Sequence, residues 1–552
     1  MINISKCLAI AAMGSFTTAC TQAPQIIDTE KMNILFITVE DWNANAIGCY
    51  GNPKVITPHV DALADQGVLF TRAYCQGVVC NPSRASFTTG LRPDATGVYG
   101  NPDDFDDFIT SDHPFMAGIL KQKGAHAAQT GKLLHKWRLS YNVINQFDQI
   151  EMEKPFLGQD NRVIDIEPDR GPFRGLTRYP DIIPDLLSPI PPRDWVWVPD
   201  IQHDTVLVRL EKERDARLAA GEPDSWPLRR PFQQYHAEMI GNMGFDDEYS
   251  EDGLVALLAE RMIDDFANER KQFFLSVGLY APHTPLLAPK QYVDLYDTTH
   301  IEISPITRDK DQGVPDIAVR NGNNYDIFNG MYPQFEPTPE RQKLAIAAYY
   351  ATSSYIDAQV GKLMRALDRN GLADNTIIVL AADHGFHLGE HGCWSKFTVF
   401  EESIRVPLIV YVPGAKGNGK PSNEIVELVD LLPTFCDFWG IEQDERFEGI
   451  SFKPLLDNPE KEWKKAAFCM APRPLNARTV RTKRYRYAEF LSSHDFPCAH
   501  PPVAIELYDH DNDPNEQVNL AGNPAYSDVE GEMKQLLYGG WQHALPENYT
   551  RN

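Results

Sequence analysis

The segment CNPSRASFTTG, from Cys80 to Gly90, places a thiol close to a permanent positive charge. Pro82 suits the first turn of a helix, Ser83 can cap one, and Arg84 brings its charge back toward Cys80. A thiol at a helix N-terminus beside an arginine is expected to have a low pKa and to react as a thiolate. A buried structural cysteine next to an ordinary helix start explains the same residues, so the spacing alone leaves both interpretations open.

Charged and imidazole side chains follow two β-rich runs of the chain. One run ends directly before Glu40 and Asp41, and another ends directly before Asp383 and His384. Such continuous apolar runs are typical of strands buried on both faces of a parallel sheet. The carboxyl ends of these strands form the ligand-binding edge of open α/β folds. In isolation, a solvated turn and a capping turn explain the same residues.

Three further side chains could take part in chemistry. Lys132 and His135 follow a short predicted strand and, at a spacing of three, share one face of a predicted helix. His283 lies between two prolines in Ala-Pro-His-Thr-Pro, a rigid loop that would hold a catalytic group in place. The default explanations are a surface pair for the first two residues and a backbone-bonded loop histidine for the third.

The pattern Cys-x-Pro-Ser-Arg-x-x-x-x-Thr-Gly resembles the signature of the type I sulfatases, whose cysteine is oxidised to formylglycine after translation. The stretches GKLLH at 131–135, APHTP at 281–285 and DHGFHLGEHG at 383–392 are similar to other motifs of that family. The resemblance is greatest to the iduronate-2-sulfatase-like branch and covers nearly the whole chain after its first 30 residues or so. It implies hydrolysis of sulfate esters on a sulfated polysaccharide or oligosaccharide.

The resemblance implies a nucleophile surrounded by cations. Cys80 would become formylglycine, and one hydroxyl of its hydrated aldehyde would attack sulfur. Arg84, Lys132 and Lys396 would offset charge on the transferring sulfuryl group. This chemistry implies a maturation partner, either a formylglycine-generating enzyme or an anaerobic sulfatase-maturing enzyme.

Two histidines carry the proton transfers that the resemblance implies. His283, or alternatively Lys396, would protonate the departing sugar oxygen, and His135 would be the base that expels sulfate and restores the aldehyde. Many relatives have a lysine two positions before the histidine that corresponds to His283, where the present chain has Ala281. Any role of that lysine is therefore absent or displaced here.

The resemblance also implies a divalent cation. Its expected ligands are Glu40, Asp41, Cys80, Asp383 and His384, a set that suits Ca²⁺ first and Mg²⁺ second. The family usually has two aspartates at the first two positions, so Glu40 is a departure, although its longer side chain could still coordinate the ion.

The expected architecture is α/β, with an alkaline-phosphatase-like large mixed β-sheet sandwiched between helices and a smaller C-terminal domain with an antiparallel sheet. We expect a catalytic domain at 31–460 and a C-terminal subdomain at 461–552. The remaining predicted elements are helices at 57–68, 80–88, 341–367 and 428–438, strands at 126–130, 273–280 and 406–414, antiparallel strands within 479–490, and a hairpin at 506–520.

Two stretches without clear periodicity, near 150–245 and 300–338, are predicted insertions. Loops of this length in a compact domain are usually functional or disordered. The family has substrate-selecting insertions in the first of these regions. Its candidates for contacts to a sugar acid or a second sulfate are Arg193, Arg229, Arg230 and His236.

The N-terminus predicts export. Residues 1–20 read as a signal peptide with a short apolar run and a small-residue cleavage site, and Cys20 is a candidate lipid attachment site. We therefore expect a periplasmic or secreted protein, with no transmembrane segment. Apart from Cys7 and Cys20, seven cysteines remain, and reserving Cys80 leaves six for up to three disulfides of open connectivity. No cysteine spacing resembles a zinc site.

Charge and composition narrow the classes of function. With 52 basic and 77 acidic residues, the chain is not expected to bind nucleic acid. A phosphatase or phosphonate hydrolase is an alternative, because the same fold hosts both chemistries. A non-catalytic exported glycan-binding protein would need no nucleophile. A thiol redox protein would need a resolving cysteine, and Cys75 lies five residues from Cys80.

Overall fold

The computed structural model describes residues 28–103, 115–135, 146–151, 240–243, 250–319, 337–472, 476–492 and 500–547, with a few single positions besides. The predicted signal peptide and the four insertion candidates lie outside these ranges. The strands, in chain order, are β1 Asn33–Val39, β2 Val68–Tyr74, β3 His126–Gly131, β4 Gln149–Glu151, β5 Ile240–Asn242, β6 Phe273–Leu279, β7 Leu286–Ala288, β8 Thr376–Ala382, β9 His387–Leu388, β10 Trp394–Ser395, β11 Arg405–Val406, β12 Leu408–Tyr411, β13 Lys420–Glu427, β14 Ala466–Ala471, β15 Ala477–Thr482, β16 Tyr485–Phe490 and β17 Ala504–Asp509.

The α-helices of the same ranges vary from one turn to more than eight turns. No helix among the described residues is both long and apolar enough to cross a membrane. In chain order they are α1 Pro58–Gln66, α2 Cys80–Thr89, α3 Pro93–Thr96, α4 Met116–Leu120, α5 Glu251–Glu269, α6 Lys290–Val293, α7 Pro339–Arg369, α8 Glu401–Ile404, α9 Leu431–Phe438, α10 Lys453–Asp457 and α11 Ser527–Gly539.

The main sheet has the strand order β11-β2-β12-β8-β1-β6-β3-β4, and β13 also pairs with β2. The run from β8 to β4 is parallel, whereas β12 is antiparallel to both of its neighbours. Every residue of β1, β6 and β8 is buried, which requires cover on both faces of the sheet. The predicted mixed sheet is therefore confirmed.

Two groups of helices provide that cover. On one face, Phe36 of β1 packs edge-on against Phe87 of α2 and Phe435 of α9. Beyond the end of β1, the indole nitrogen of Trp42 donates to the Ser353 hydroxyl of α7 at 3.1 Å. Helix α7 packs in turn against α1 and α5. These contacts place the end of β1 between the two helical layers.

A second sheet, β14-β15-β16-β17, is antiparallel throughout. It packs with α11 around a small apolar core of its own that includes Val480, Tyr487, Leu507 and Leu537. The predicted antiparallel sheet in the C-terminal part is confirmed.

The long predicted elements are found with small changes at their ends. Helix α7 exceeds its predicted span because the Thr338 side chain caps it and Pro339 occupies its first position. The predicted strand at 406–414 is instead two strands, β11 and β12, interrupted at Pro407, whose nitrogen cannot donate to a neighbouring strand.

Candidate active site

The candidate site lies at the carboxyl edge of the parallel part of the main sheet. Strands β1 and β8 pair in register up to Val39 and Ala382, so the acids that follow them are neighbours. The backbone N–H of Asp41 donates to Oδ1 of Asp383 at 3.0 Å. Both aspartates are fully buried. The pairing of the two strands therefore brings together side chains that are far apart in sequence.

Cys80 is the first residue of α2 and is fully buried beside these acids. Its Sγ lies 3.0 Å from Oε1 of Glu40, 3.4 Å from Nε2 of His384 and 3.5 Å from Nζ of Lys396. The predicted capping role of Ser83 is wrong, because the helix begins three residues earlier. The Ser83 hydroxyl donates to the carbonyl oxygen of Asp383 instead.

The expectation of a low-pKa thiolate at Cys80 is also wrong. Burial raises the pKa of the Cys80 thiol well above its usual value, and nearby Glu40 raises it further against the opposing charge of Lys396. The position at the start of α2 does not offset this desolvation. The unmodified cysteine is therefore a poor nucleophile in this setting.

Arg84 is buried and makes three hydrogen bonds. Its Nε donates to Oδ2 of Asp383 at 2.8 Å, and one terminal nitrogen donates to the carbonyl oxygens of Lys132 and Leu133 at 2.6 and 3.1 Å. Burial raises the pKa of Asp383, but the charges of Arg84, His384 and Lys132 together bring it below its usual value. The other terminal nitrogen is buried without a partner among the described residues, so this cationic donor has no acceptor of its own.

Lys132 and His135 lie on a bend after β3, so the prediction of a shared helical face is wrong. Gly131 ends β3 with a positive φ of 67°, which turns the chain away from a helical path. Both side chains nevertheless reach the site. The Lys132 ammonium pairs with Oε1 of Glu40, and ring and carboxylate atoms of His135 and Glu40 group with the Cys80 sulfur within 4.8 Å.

His135 is held in the neutral form. Burial and then the positive charge of Lys132 lower its pKa to about 3. Its Nδ1 is buried without a partner among the described residues. A neutral imidazole with an available nitrogen can accept a proton.

Glu40 is ionised despite complete burial. Burial raises its pKa, but the charges of Lys132, His283, Arg84 and Lys396 together bring it well below its usual value. Its carboxylate therefore balances part of the positive charge that converges on residue 80.

His283 is about one-third exposed and is the most accessible of the sequence-predicted groups. Its Nε2 lies 3.9 Å from Oδ2 of Asp41 and 4.0 Å from Oε1 of Glu40. Its Nδ1 lies 2.7 Å from the carbonyl oxygen of Thr284. Because a carbonyl only accepts, Nδ1 carries the proton, and Nε2 faces the acids.

The residues present fit a divalent cation. Ligand atoms of Asp41, Cys80, Asp383 and His384 all lie within 4.8 Å of one another, whereas Glu40 groups with them only in part. The His384 Nδ1 lies 3.0 Å from the Gly385 carbonyl oxygen and donates to it, which leaves Nε2 as the coordinating atom. Two carboxylates with an imidazole form a donor set suited to an oxygen-preferring ion.

Lys396 adds a buried cation to this group. Its Nζ lies 2.8 Å from both carboxylate oxygens of Asp41 and 3.5 Å from the Cys80 sulfur. The fold therefore gathers at one edge of the sheet all ten residues expected in catalysis or metal binding. These are Glu40, Asp41, Cys80, Arg84, Lys132, His135, His283, Asp383, His384 and Lys396.

Sequence reasoning missed two positioning residues. The Tyr349 hydroxyl of α7 donates to the carbonyl oxygen of Asp41 and accepts the backbone N–H of Asn43 at 2.8 Å. The Asp252 carboxylate accepts the backbone N–H groups of Tyr280 and Ala281, before His283. A tyrosine on the buried face of a helix is expected to form a hydrogen bond through its hydroxyl, but the sequence does not identify the residue that it bonds.

Among the described residues the structure contains no S–S bond, although the cysteine count allows up to three. The six cysteines there, Cys49, Cys75, Cys80, Cys393, Cys436 and Cys469, are all free thiols. Cys498 lies outside the described ranges, as do the candidate insertion residues.

Comparison with known proteins identifies the family. The family model described as Sulfatase matches residues 32–441, and the model described as N-sulphoglucosamine sulphohydrolase, C-terminal, matches residues 389–541. Iduronate 2-sulfatase of Homo sapiens is 27% identical over 95% of this chain and 96% of its own. N-acetylglucosamine-6-O-sulfatase of Bacteroides thetaiotaomicron is 26% identical over 95% of this chain and 89% of its own.

A solved structure supports the fold. The phosphonate monoester hydrolase from Silicibacter pomeroyi superposes with a TM-score of 0.68 over 94% of this chain and 96% of its own, at 21% identity. At that identity the similarity concerns the fold alone. The family match, in contrast, covers well over half of the sequence. The chain therefore belongs to the sulfatase family, whose members hydrolyse sulfuric esters.

Proposed function

We propose that this sulfatase hydrolyses sulfate esters on a sulfated carbohydrate, using a formylglycine made from Cys80 and a divalent cation. The observation that carries the proposal is that Arg84, Lys132 and Lys396 pair with three acids, Asp383, Glu40 and Asp41, whose carboxylates lie beside the Cys80 sulfur. Two relatives are named for esters of sugars, an iduronate and an N-acetylglucosamine. These names support a sulfated glycan as the substrate class.

The proposed metal ligands are Asp41, Asp383, His384 and residue 80, with Glu40 beside them. Calcium fits this donor set better than magnesium, because the side chains offer mainly carboxylate oxygens and no preformed octahedron is needed. When bound, such an ion polarises a sulfate oxygen and favours deprotonation of a nearby hydroxyl.

The cationic residues would bind the sulfate. The unpartnered terminal nitrogen of Arg84 supplies a fixed donor in a buried setting, where it needs no reorganisation. Lys132 and Lys396 supply two further positive charges, and each already has a carboxylate to hold it in place. A planar guanidinium with two ammonium groups suits a tetrahedral anion whose charge spreads over several oxygens.

Residue 80 as formylglycine would supply a hydroxyl nucleophile that does not depend on thiolate formation. This agrees with the raised pKa of the Cys80 thiol in its buried position. His283, at the more exposed side of the site, is the proposed donor to the departing sugar oxygen. His135, partly buried and neutral, is the proposed base that completes turnover.

The alternatives have less support. A thiol redox role would need a partner for Cys80, but Cys75 lies against the carbonyl oxygen of Ser403 and the sulfur of Cys469. A phosphatase would be expected to have a second cation cluster at the site. Within the described ranges, the other groups of possible ligands at the site share Glu40 with each other and reuse Cys80 or Asp41 of the proposed cation site. The one group away from the site is Glu401, His510 and Glu516, and arginine side chains already pair with both of its acids.

We also propose a catalytic domain at 31–460 and a C-terminal subdomain at 461–552, supported by the separate apolar core of the second sheet. Export through the signal peptide at 1–20, with Cys20 as the lipid attachment site, remains a prediction from the sequence, as does a periplasmic or secreted location. The maturation enzyme is the partner that the formylglycine proposal requires.

The direct test is mass spectrometry of residue 80. In protein co-produced with a maturation enzyme, the tryptic peptide 73–84 should lose about 18 Da relative to the unmodified cysteine. The matured protein should release sulfate from at least one glycan in a panel of sulfated glycans, and Cys80→Ala should not. An intact thiol with no sulfate release, in cells that mature a reference sulfatase, would contradict the proposal.

A further inference from the structure

Two buried cysteines lie next to each other away from the catalytic residues. Cys75 follows the last residue of β2, and Cys469 lies within β14. Their Sγ atoms are 3.8 Å apart. The relative exposures of the two residues are 0% and 6%. The pair joins the main sheet to the antiparallel sheet over a sequence separation of 394 residues.

Backbone hydrogen bonds hold the two segments together. The N–H of Met470 donates to the carbonyl oxygen of Gln76 at 3.1 Å, and the N–H of Val78 donates to the carbonyl oxygen of Met470 at 3.1 Å. Gly77 forms a parallel β-bridge with Met470 between these bonds. The proximity of the sulfurs therefore rests on backbone pairing and not only on two side-chain rotamers.

The two sulfurs have no competing cysteine nearby among the described residues. The Cys80 sulfur faces Glu40, His384 and Lys396. The Cys393 sulfur faces backbone carbonyl oxygens of Val319 and His391. Cys75 and Cys469 are therefore the one pair of described cysteines whose sulfurs are in contact.

We propose that Cys75 and Cys469 become a disulfide when the chain folds with a disulfide oxidant such as oxidised glutathione or a disulfide-bearing oxidoreductase. Two S–H bonds break and one S–S bond forms. The two electrons and two protons pass to the oxidant, whose own disulfide becomes two thiols. The sulfurs need to close from 3.8 Å to about 2.05 Å to form this bond.

The burial of the pair determines when this oxidation takes place. Attack on the oxidant requires a thiolate, and burial raises the pKa of Cys75 well above its usual value in the folded protein. The bond therefore forms before the two sheets have closed over the sulfurs. Once formed, it fixes β14 to the chain segment that leads into α2, and it leaves Cys80 as the one thiol of segment 73–84.

The test maps disulfides in the full-length protein. The chain is refolded in a mixture of oxidised and reduced glutathione. It is then denatured without reductant so that its remaining free thiols can be alkylated, and it is digested with trypsin. A cross-linked product of peptides 73–84 and 466–478 is expected, with a mass about 2 Da below the sum of the two reduced peptides. Because Cys75 and Cys80 share a peptide, the mapping is repeated on Cys80→Ala, which should retain the link.

Variants provide the controls. Cys469→Ser should lose the linked peptide and should have a lower unfolding temperature than the parent under oxidising conditions, with a smaller difference after reduction. Cys436→Ser, which removes a buried thiol outside the pair, should keep the link. Alkylation of both Cys75 and Cys469 in the oxidised parent would overturn the proposal. A link from Cys75 to Cys80 or Cys498 would overturn it as well.

Discussion

Asp41, Asp383 and Glu40 each contact a different cationic side chain: Lys396, Arg84 and Lys132, respectively. These pairs are almost completely buried, so breaking one leaves an uncompensated charge in a medium of low dielectric constant. The same three cations are those proposed to receive the sulfate. Individual charge contacts therefore serve two purposes, balancing the acids and preparing an anion site.

Replacing Lys396 tests this double role. Lys396→Ala should lower kcat on a sulfated sugar by about 10²- to 10³-fold, because a fixed cationic donor is lost from the reacting centre. Steady-state kinetics on the matured protein gives the measurement. Lys290→Ala, at a lysine whose side chain is 70% exposed, should leave kcat unchanged. An equal effect of the two substitutions would contradict the proposed role.

The pH dependence of activity tests the neutral state of His135. With a pKa lowered to about 3 by burial and Lys132, its imidazole stays neutral throughout the neutral range and becomes charged only in strong acid. Because His135 is proposed to act after the sugar has left, its effect appears in kcat, and the ratio of kcat between the parent and His135→Gln should stay constant from about pH 4.5 to about pH 8.

The contradicting result would be a ratio that falls with a midpoint near the ordinary histidine value of about 6.5. Such a midpoint would show that the side chain titrates as if exposed.

Much of this residue set could be predicted from the sequence because the site follows strand ends. Asp41 and Asp383 each follow a recognisable strand, and the carboxyl ends of parallel strands meet at one edge. The prediction of a low pKa for the Cys80 thiol is wrong, because segments distant in sequence bury the thiol and raise its pKa. The role of Tyr349 was missed for a similar reason, since its contact with Asp41 spans 308 positions.

At the scale of elements, α2 positions Cys80 and Arg84 from one rigid helix. The helix ends at Gly90, which has a φ of 71°. A β-carbon at Gly90 would lie 2.8 Å from the ring of Phe447, whereas one at Gly97, with the same φ, would meet open space. The end of the helix is therefore fixed both by backbone conformation and by packing.

Alanine at these two glycines separates the two effects. Both variants should lose about 1 kcal/mol for the positive φ. Gly90→Ala should lose a further 1–3 kcal/mol or so, because the ring of Phe447 is displaced in a packed region. Urea unfolding measures the free energy of unfolding of both variants. Equal losses at the two positions would show that the contact with Phe447 adds no cost beyond that of the positive φ.

Helical elements were predicted well where caps and apolar periodicity agree, as at α7 with Thr338 and Pro339. The segment with Lys132 and His135 shows the limit of that reasoning. Their spacing of three fits a helix, but the positive φ of Gly131 and the close approach of Gly278 require a bend. A tertiary contact of this kind leaves no periodic signal in the sequence.

Across the whole molecule, a buried ion network connects the main sheet with the C-terminal strands. The carboxylate of Glu427, at the end of β13, accepts hydrogen bonds from Arg92, Lys464 and the backbone N–H of Phe468. Lys464 also contacts Asp430 at 2.6 Å. The network thus binds together chain segments on either side of the proposed domain boundary.

Glu427→Gln should lower the free energy of unfolding by about 3–5 kcal/mol, because two buried cations lose their shared counter-charge. Chemical unfolding at neutral pH gives the measurement. Glu302→Gln, in an exposed pair with Lys54, should have little effect on the free energy of unfolding. Similar losses for both variants would mean that the network contributes no more than a surface pair.

The pH dependence of stability follows from the same carboxyl. Burial raises the pKa of Glu427, but Arg92 and Lys464 lower it from 4.5 to about 2. Its ionised form therefore stabilises the fold fully above pH 4.5, and this contribution is lost as the pH falls toward 2. The stability difference between the parent and Glu427→Gln should shrink over that interval, and a constant difference would contradict the assignment.

The direct pairing of β1 with β8 has a consequence for how relatives diverge. Asp41 and Asp383 are 342 positions apart, yet their spacing is set by two adjacent strands. Insertions and deletions in the loops between these strands leave the spacing of the two aspartates unchanged as long as the pairing survives. We therefore expect an exchange of the predicted insertion near 150–245 between family members to change substrate preference while the two aspartates keep their spacing.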